Sequence, residues 1–260
     1  MTGPLYVYGL IRPEDRAGPA LEGLGSIRGA GPAAPAGLAP VEAVVSPLAE
    51  ETEILPTRRN MLAHARILEA CLAAAPVLPV RFGLVCPDAQ ALAAALAPQA
   101  AALLDRLAAL EGRAEFGLTV TAERDPAIAA IVAETPDLAR KYRALPASGP
   151  AAHFARVELG REVAERLDQR RHAAQDRLLA RLAPLAQDHV LLPPETDTDL
   201  LRAAFLLPLA ALPEFEAAIA RAAGEIDFAP GSVPAIRLVG PAPASRFVSI
   251  RLEAGAAATV

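Results

Sequence analysis

Few residues in this 260-residue chain combine the type and the spacing that chemistry requires. The histidines are His64, His153, His172 and His189. They form neither an H-x-x-x-H nor an H-E-x-x-H pair, and Cys71 and Cys86 make no C-x-x-C, so the pattern of a metal site is missing. Gly23-Leu-Gly-Ser-Ile-Arg-Gly29 is one residue too long for the dinucleotide fingerprint and opens no helix, and no phosphate-binding G-x-x-x-x-G-K-[ST] occurs. Ser148 sits in Ala-Ser-Gly-Pro, a turn into a helix rather than the strained elbow of a serine nucleophile. Asp197 and Asp199 fall between strands, where turn chemistry accounts for them. Glu50, Glu51 and Glu53 form an acidic run that is either a solvated loop or a partner for Arg58 and Arg59. These observations predict no catalytic site, no metal and no cofactor.

One charge stands out. Val77-Leu-Pro-Val-Arg-Phe-Gly-Leu-Val85 is the densest apolar passage of the first half, and Arg81 interrupts it. The run reads as a strand, with Pro79 at an edge or bulge and Gly83 at a bend. A permanent cation there needs a partner or an exit to water. The expected partner is an intramolecular carboxylate that holds the first helix or the seam between domains; a partner protein is the alternative. His64 lies one turn from Asn60 on that helix, as an ordinary polar or interface histidine.

Composition bounds the rest. Hydrophobic residues are 53% of the chain, enough for real cores, and the length fits two domains. A formal net charge of -5 with mixed signs argues against nucleic acid as a partner. Lys141 is the only lysine, and the abundance of Ala, Gly, Pro and Arg fits a GC-rich coding sequence. The cysteines read as buried free thiols in a reducing compartment. With no signal peptide pattern and no apolar run of the ~18 residues that span a bilayer, the expected location is cytoplasmic, without a membrane.

The elements that would position these residues follow from periodicity and breakers. Strands are expected at 5–11, near 26–30, at 38–45, over 77–85 and at 116–121. Thr57 caps a helix over about 58–75 with Met61, Ala65, Leu68 and Leu72 as its apolar stripe, and two more helices run from Asp88 to Leu110. In the second half, two short helices break at Pro136. Pro150 opens a long helix to about Leu182, with Phe154, Val157, Val163, Leu167, Leu178 and Leu182 inward and a Glu162–Arg166 pair outward. Strands at 189–192 and 200–207, a helix over 212–223 and strands at 235–239 and 247–252 complete the chain, with a frayed tail from Glu253. The fold class is α+β: two domains, 1–112 and 113–260, each a modified ferredoxin-like split βαβ sheet with helices on one face.

Several blocks in order along most of the chain resemble the gas vesicle protein F/L family: Leu5-Tyr-Val-Tyr-Gly-Leu10, Ile54-Leu-Pro-Thr-Arg-Arg-Asn60, Pro79-Val-Arg-Phe-Gly-Leu-Val85, Glu115-Phe-Gly-Leu-Thr-Val120, Arg202-Ala-Ala-Phe-Leu-Leu207 and Gly240-Pro241. Two places depart from the family pattern. Phe116-Gly117 replaces Trp-Gly, and Ala242-Pro-Ala-Ser-Arg-Phe247 is less aromatic. The resemblance implies an accessory or minor component of gas vesicle formation that binds the small hydrophobic shell subunit and other accessory proteins, without catalysis, in association with gas vesicles. The candidate partner-binding residues are Arg58, Arg59, His64, Arg81 and Phe82. A ligand-sensing regulatory protein built on paired ferredoxin-like domains is the alternative.

Overall fold

In the computed structural model the structure describes residues 3–15, 18–49, 52–229, 231–248, 250 and 258–259. The chain divides into two compact units, Met1–Glu115 with Pro241–Val260, and Phe116–Gly240. This differs from the expected pair 1–112 and 113–260, because the segment after Gly240 returns to the first unit. Both units combine helices with a sheet, so the chain is α+β.

The first unit begins with β1 (Leu5–Ile11), every residue of which is buried. A short helix α1 (Gly18–Leu21), β2 (Ala34–Pro35) and β3 (Glu42–Pro47) follow, then α2 (Arg58–Ala74), β4 (Leu78–Pro79) and β5 (Leu84–Cys86). The helices α3 (Ala89–Leu96) and α4 (Ala100–Ala109) come next. The sheet has β1 at its centre, with β3 then β2 on one side and β4 and β5 on the other, all paired antiparallel. The core holds Tyr6, Tyr8, Ile27, Val44, Ile67 and Cys71. Gly9 lets α2 close on β1: a Cβ there would stand 2.8 Å from Leu68 Cδ2 and 3.0 Å from the Leu78 carbonyl.

Several expectations change here. The run 77–85 is not one strand. Its two pieces pair with β1 in different registers, Leu10 opposite Leu78 and Tyr6 opposite Val85. Residues 81–83 loop out between them, with Gly83 at φ 93°. Only a single bridge, Ala30 to Leu48, forms where a strand at 26–30 was expected. On α2 the buried side is Asn60, Ala63, His64, Ile67, Leu68 and Cys71. The stripe Met61–Ala65–Leu68–Leu72 is therefore turned outward by about one residue, and Met61 is 53% exposed.

The stretch Ala89–Ala109 is long and apolar enough by length and composition to cross a membrane, with mean hydropathy 1.2, contrary to the expectation that no run reaches that length. It is broken by a 3-10 turn at Ala97–Gln99, and Leu92, Leu96, Leu103 and Leu107 face the core.

The second unit contains most of β6 (Arg113–Thr121), then α5 (Arg124–Glu134), α6 (Pro136–Arg143), α7 (Pro150–Leu182), β7 (Asp188–Leu191), β8 (Asp199–Pro208), α8 (Leu212–Gly224) and β9 (Ala235–Ala242). The strand order is β7-β8-β6-β9, with β7 antiparallel to β8. Helix α7 packs on α8 and β8, and the rings of Phe205 and Phe215 meet edge to face at 5.0 Å. Its expected limits hold, and Leu167, Leu178 and Leu182 are buried. Phe154 and Val157 are not: they are 72% and 58% exposed. Glu162 pairs with Lys141 of α6 rather than with Arg166. The strand expected over 247–252 is absent among its described residues, since Ser245 to Phe247 form a turn and Val248 and Ile250 have no strand pairing. Of the tail from Glu253 only residues 258–259 are described, as β10 (Ala258–Thr259) beside β5.

Candidate functional site

The first unit carries a groove of about 370 Å³. One wall is α2, with exposed Met61, half-buried Ala65 and buried Leu68. A second is Pro79 to Phe82, and a third is formed by Ala242, Pro243, Ser245, Arg246, Val248 and Ile250. Helix α2 starts where Thr57 accepts a hydrogen bond from the Asn60 amide. Asn60 is buried but satisfied: its Oδ1 accepts from the Arg28 amide at 2.9 Å, and its Nδ2 donates to the Leu55 carbonyl at 3.0 Å. These bonds fix the rotation of α2, and thereby which face looks into the groove.

Beneath the looped segment lies a polar chain. His64 Nε2 donates to the Val80 carbonyl at 3.1 Å, which leaves Nδ1 as the acceptor for the Tyr6 hydroxyl at 2.9 Å. The Tyr6 oxygen in turn accepts the Gly83 amide at 3.3 Å. Burial holds the imidazole neutral and pushes its pKa down to about 4, against the opposing pull of the Val80 carbonyl. Burial also raises the Tyr6 phenol well above its ordinary range. Phe82 stands edge-on to both rings, 5.7 Å from His64 and 6.0 Å from Tyr6. An aromatic cluster thus sets the shape of the loop that Arg81 occupies.

Arg81 lines the groove and is exposed. It makes no ion pair among the described residues, which corrects the expectation of a structural clamp. The looped-out backbone carries the guanidinium out of the sheet into water. The buried carboxylate of this site pairs elsewhere, with an exposed arginine. Glu115, 2% exposed, accepts the Arg246 backbone amide at 2.9 Å and pairs with the Arg246 guanidinium. This ties the third wall down.

The structure brings His64, Arg81 and Phe82 together at one groove. Arg58 and Arg59 stand apart from it, exposed in the first turn of α2. Sequence reasoning missed Met61, Glu115 and Arg246 as groove residues. The Glu115-Phe-Gly block and the 242–247 segment were visible as motifs, but nothing local joins two residues 131 positions apart.

Chemically the groove is an apolar trough with cations at its margin. No group of three or more His, Cys, Asp or Glu that could hold a metal occurs among the described residues. Both cysteines are buried and free, their thiols pushed up by burial to about 12 for Cys71 and about 11 for Cys86. Such thiols are protonated and poor nucleophiles at neutral pH.

The family model of the gas vesicle synthesis protein GvpL/GvpF matches residues 4–249. The chain is 30% identical over 216 residues to gas vesicle protein F of Streptomyces sp. (strain CB03234), covering 82% of this chain and 88% of that one. Two solved structures share its fold. Gas vesicle protein GvpF from Anabaena sp. PCC7120 aligns with a TM-score of 0.78 at 21% identity, over 96% of this chain and 100% of that one. GvpF from Microcystis aeruginosa aligns with a TM-score of 0.70 at 22% identity and the same coverage. With its motifs, its fold and a family match over nearly its whole length, the chain belongs to the GvpL/GvpF family of gas vesicle synthesis proteins.

Proposed function

We propose that this protein is a gas vesicle assembly factor, or minor structural component, that binds the small hydrophobic shell subunit during vesicle formation. The groove of the first unit is its docking surface. The observation that carries this reading is the flank of α2 that the sheet leaves uncovered: Met61, 53% exposed, and half-buried Ala65 one turn on, faced by Phe82 and edged by the free guanidinium of Arg81. A strongly apolar subunit needs such a surface to stay in solution, and the helix-in-groove mode supplies it. Arg58 and Arg59 extend the contact beside exposed Leu55 and Leu62, with charge-assisted bonds to the partner. Other accessory proteins bind the same factor, which works in the cytoplasm at the vesicle and performs no catalysis.

The finer fold is part of the proposal. Each unit is a split βαβ sheet, a reading supported by the strand orders: the first strand of each sheet lies between the third and the last, and the second is at the edge.

The test is co-purification with the shell subunit under conditions that keep the subunit soluble. The wild-type chain is expected to form a complex that Met61→Glu and Arg81→Glu weaken. Absence of any complex sinks direct binding, and a deletion strain with normal vesicles and no paralogue sinks the assembly role. A second reading, a sensor of small molecules, has one observation in its favour: about 370 Å³ lies within the usual range of ligand sites, roughly 300–1,000 Å³. A metabolite thermal-shift screen decides it, and the absence of a hit argues against it.

A further inference from the structure

The second unit carries a trough of its own, about 700 Å³, between α5, α6 and α7. Its floor is a continuous stripe of α7: Leu159, Gly160, Val163 and Leu167, spaced i, i+1, i+4 and i+8 on one helical face. One side is Ile128 and Val132, one turn apart on α5. The other is the end of α6, where Tyr142 is 61% exposed. The trough is thus mostly apolar and flanked by helices. Gly160 sits in its floor, and a Cβ there would meet nothing within 4 Å. A glycine in mid-helix costs stability; here it leaves room for another backbone to come close. Exposed Phe154 and Val157 of the same helix lie off this stripe, toward the face of Glu158, Arg161 and Glu165.

The charges at the rim are unequal. Asp197 is already paired with Arg124 at 2.9 Å. Arg156 reaches only the Ala147 carbonyl, at 3.0 Å, and has no carboxylate partner among the described residues. The charge left available at the rim is positive.

We propose that this trough binds an amphipathic helix of a partner protein, apolar face down on α7, with a carboxylate on its flank meeting Arg156. The site is separate from the groove of the first unit and does not rest on that groove's assignment. It gives the protein a second docking surface, selective for acidic helices over basic ones. The apolar stripe supplies the affinity and Arg156 the sign preference.

The experiment uses the full chain and two labelled synthetic peptides of about 18 residues, long enough to form a helix. One has leucine on one face and glutamate on its flanks; the other has lysine in place of glutamate. Fluorescence anisotropy should show the glutamate peptide binding about fivefold tighter, the scale of a rim ion pair. Arg156→Glu should reverse the order of the two peptides. Gly160→Trp, which puts a bulky ring in the trough, should weaken both by about tenfold or more, with the circular dichroism spectrum of the folded chain retained. Equal affinities in wild type, no binding of either peptide, or binding indifferent to Gly160→Trp would each overturn the proposal. So would a concentration-dependent dimer in sedimentation that Gly160→Trp abolishes, because a second copy of the chain would then be the occupant.

Discussion

The Tyr6 hydroxyl and His64 Nδ1 are 2.9 Å apart although 58 residues separate them in sequence, and this bond joins the central strand to the helix that forms the groove. Tyr6 donates to His64 and accepts from Gly83, so one oxygen serves both the helix and the looped-out segment. Tyr6→Phe keeps the ring but orphans the Gly83 amide and His64 Nδ1. The expected loss is about 1–3 kcal/mol in urea denaturation, together with faster hydrogen exchange of the Gly83 amide. An unchanged exchange rate would show that the loop is held by something else.

His64 gives the protein a defined acid response. Its folded pKa is about 4, below the ordinary 6.5. Below the ordinary value the unfolded chain binds a proton that the folded chain refuses, so stability is full above about pH 6.5 and falls as the pH drops toward 4. The loss is on the order of 3 kcal/mol across that window. Denaturation midpoints measured from pH 4 to 7 should show this slope in the wild type and a shallower one in His64→Phe. Equal slopes would remove His64 from the acid response.

Arg246→Ala leaves the Glu115 carboxylate buried with only one backbone donor. A loss of about 1–3 kcal/mol is expected, with a new proteolytic cut near residues 243–247 as the third wall loosens. Glu115→Gln should cost less, because a neutral amide tolerates burial better and its oxygen still accepts the Arg246 amide. If the two variants prove equally unstable, charge is not the reason.

Arg81→Ala should leave the unfolding midpoint within about 0.5 kcal/mol of wild type, as for other exposed side chains, while weakening capture of the shell subunit. A large stability loss would restore the clamp reading. Gly9→Ala should act in the opposite way: the added methyl meets Leu68 and the Leu78 carbonyl, at about 1–3 kcal/mol, and touches no partner.

The long helix α7 was legible because Pro150 and the breaker after Leu182 bound an unbroken helical pattern. Its inner face was legible only in part. Phe154 and Val157 are apolar but exposed, and a periodicity cannot say whether the surface it predicts is covered. The stripe on α2 shows the same limit. Met61, Ala65 and Leu68 were recognised as one face, but only Leu68 of them is in the core, beside Asn60 and His64, polar residues whose hydrogen bonds are made by distant loops and strands. The sequence 77–85 looked like one strand because all its residues but Arg81 favour burial or a bend. The three-residue excursion comes from pairing both of its ends with β1, and pairing is a long-range property.

Because residues 241–250 complete a unit that begins at the N-terminus, the order of synthesis matters. Residues 116–240 are contiguous and can fold while the chain is still emerging from the ribosome, at about 5–20 residues per second. The first unit must wait. Its groove gains its third wall and the Arg246 tether only after the second unit has been translated. A chain stalled or clipped before residue 241 would present α2 without that wall and without the Arg246 tether.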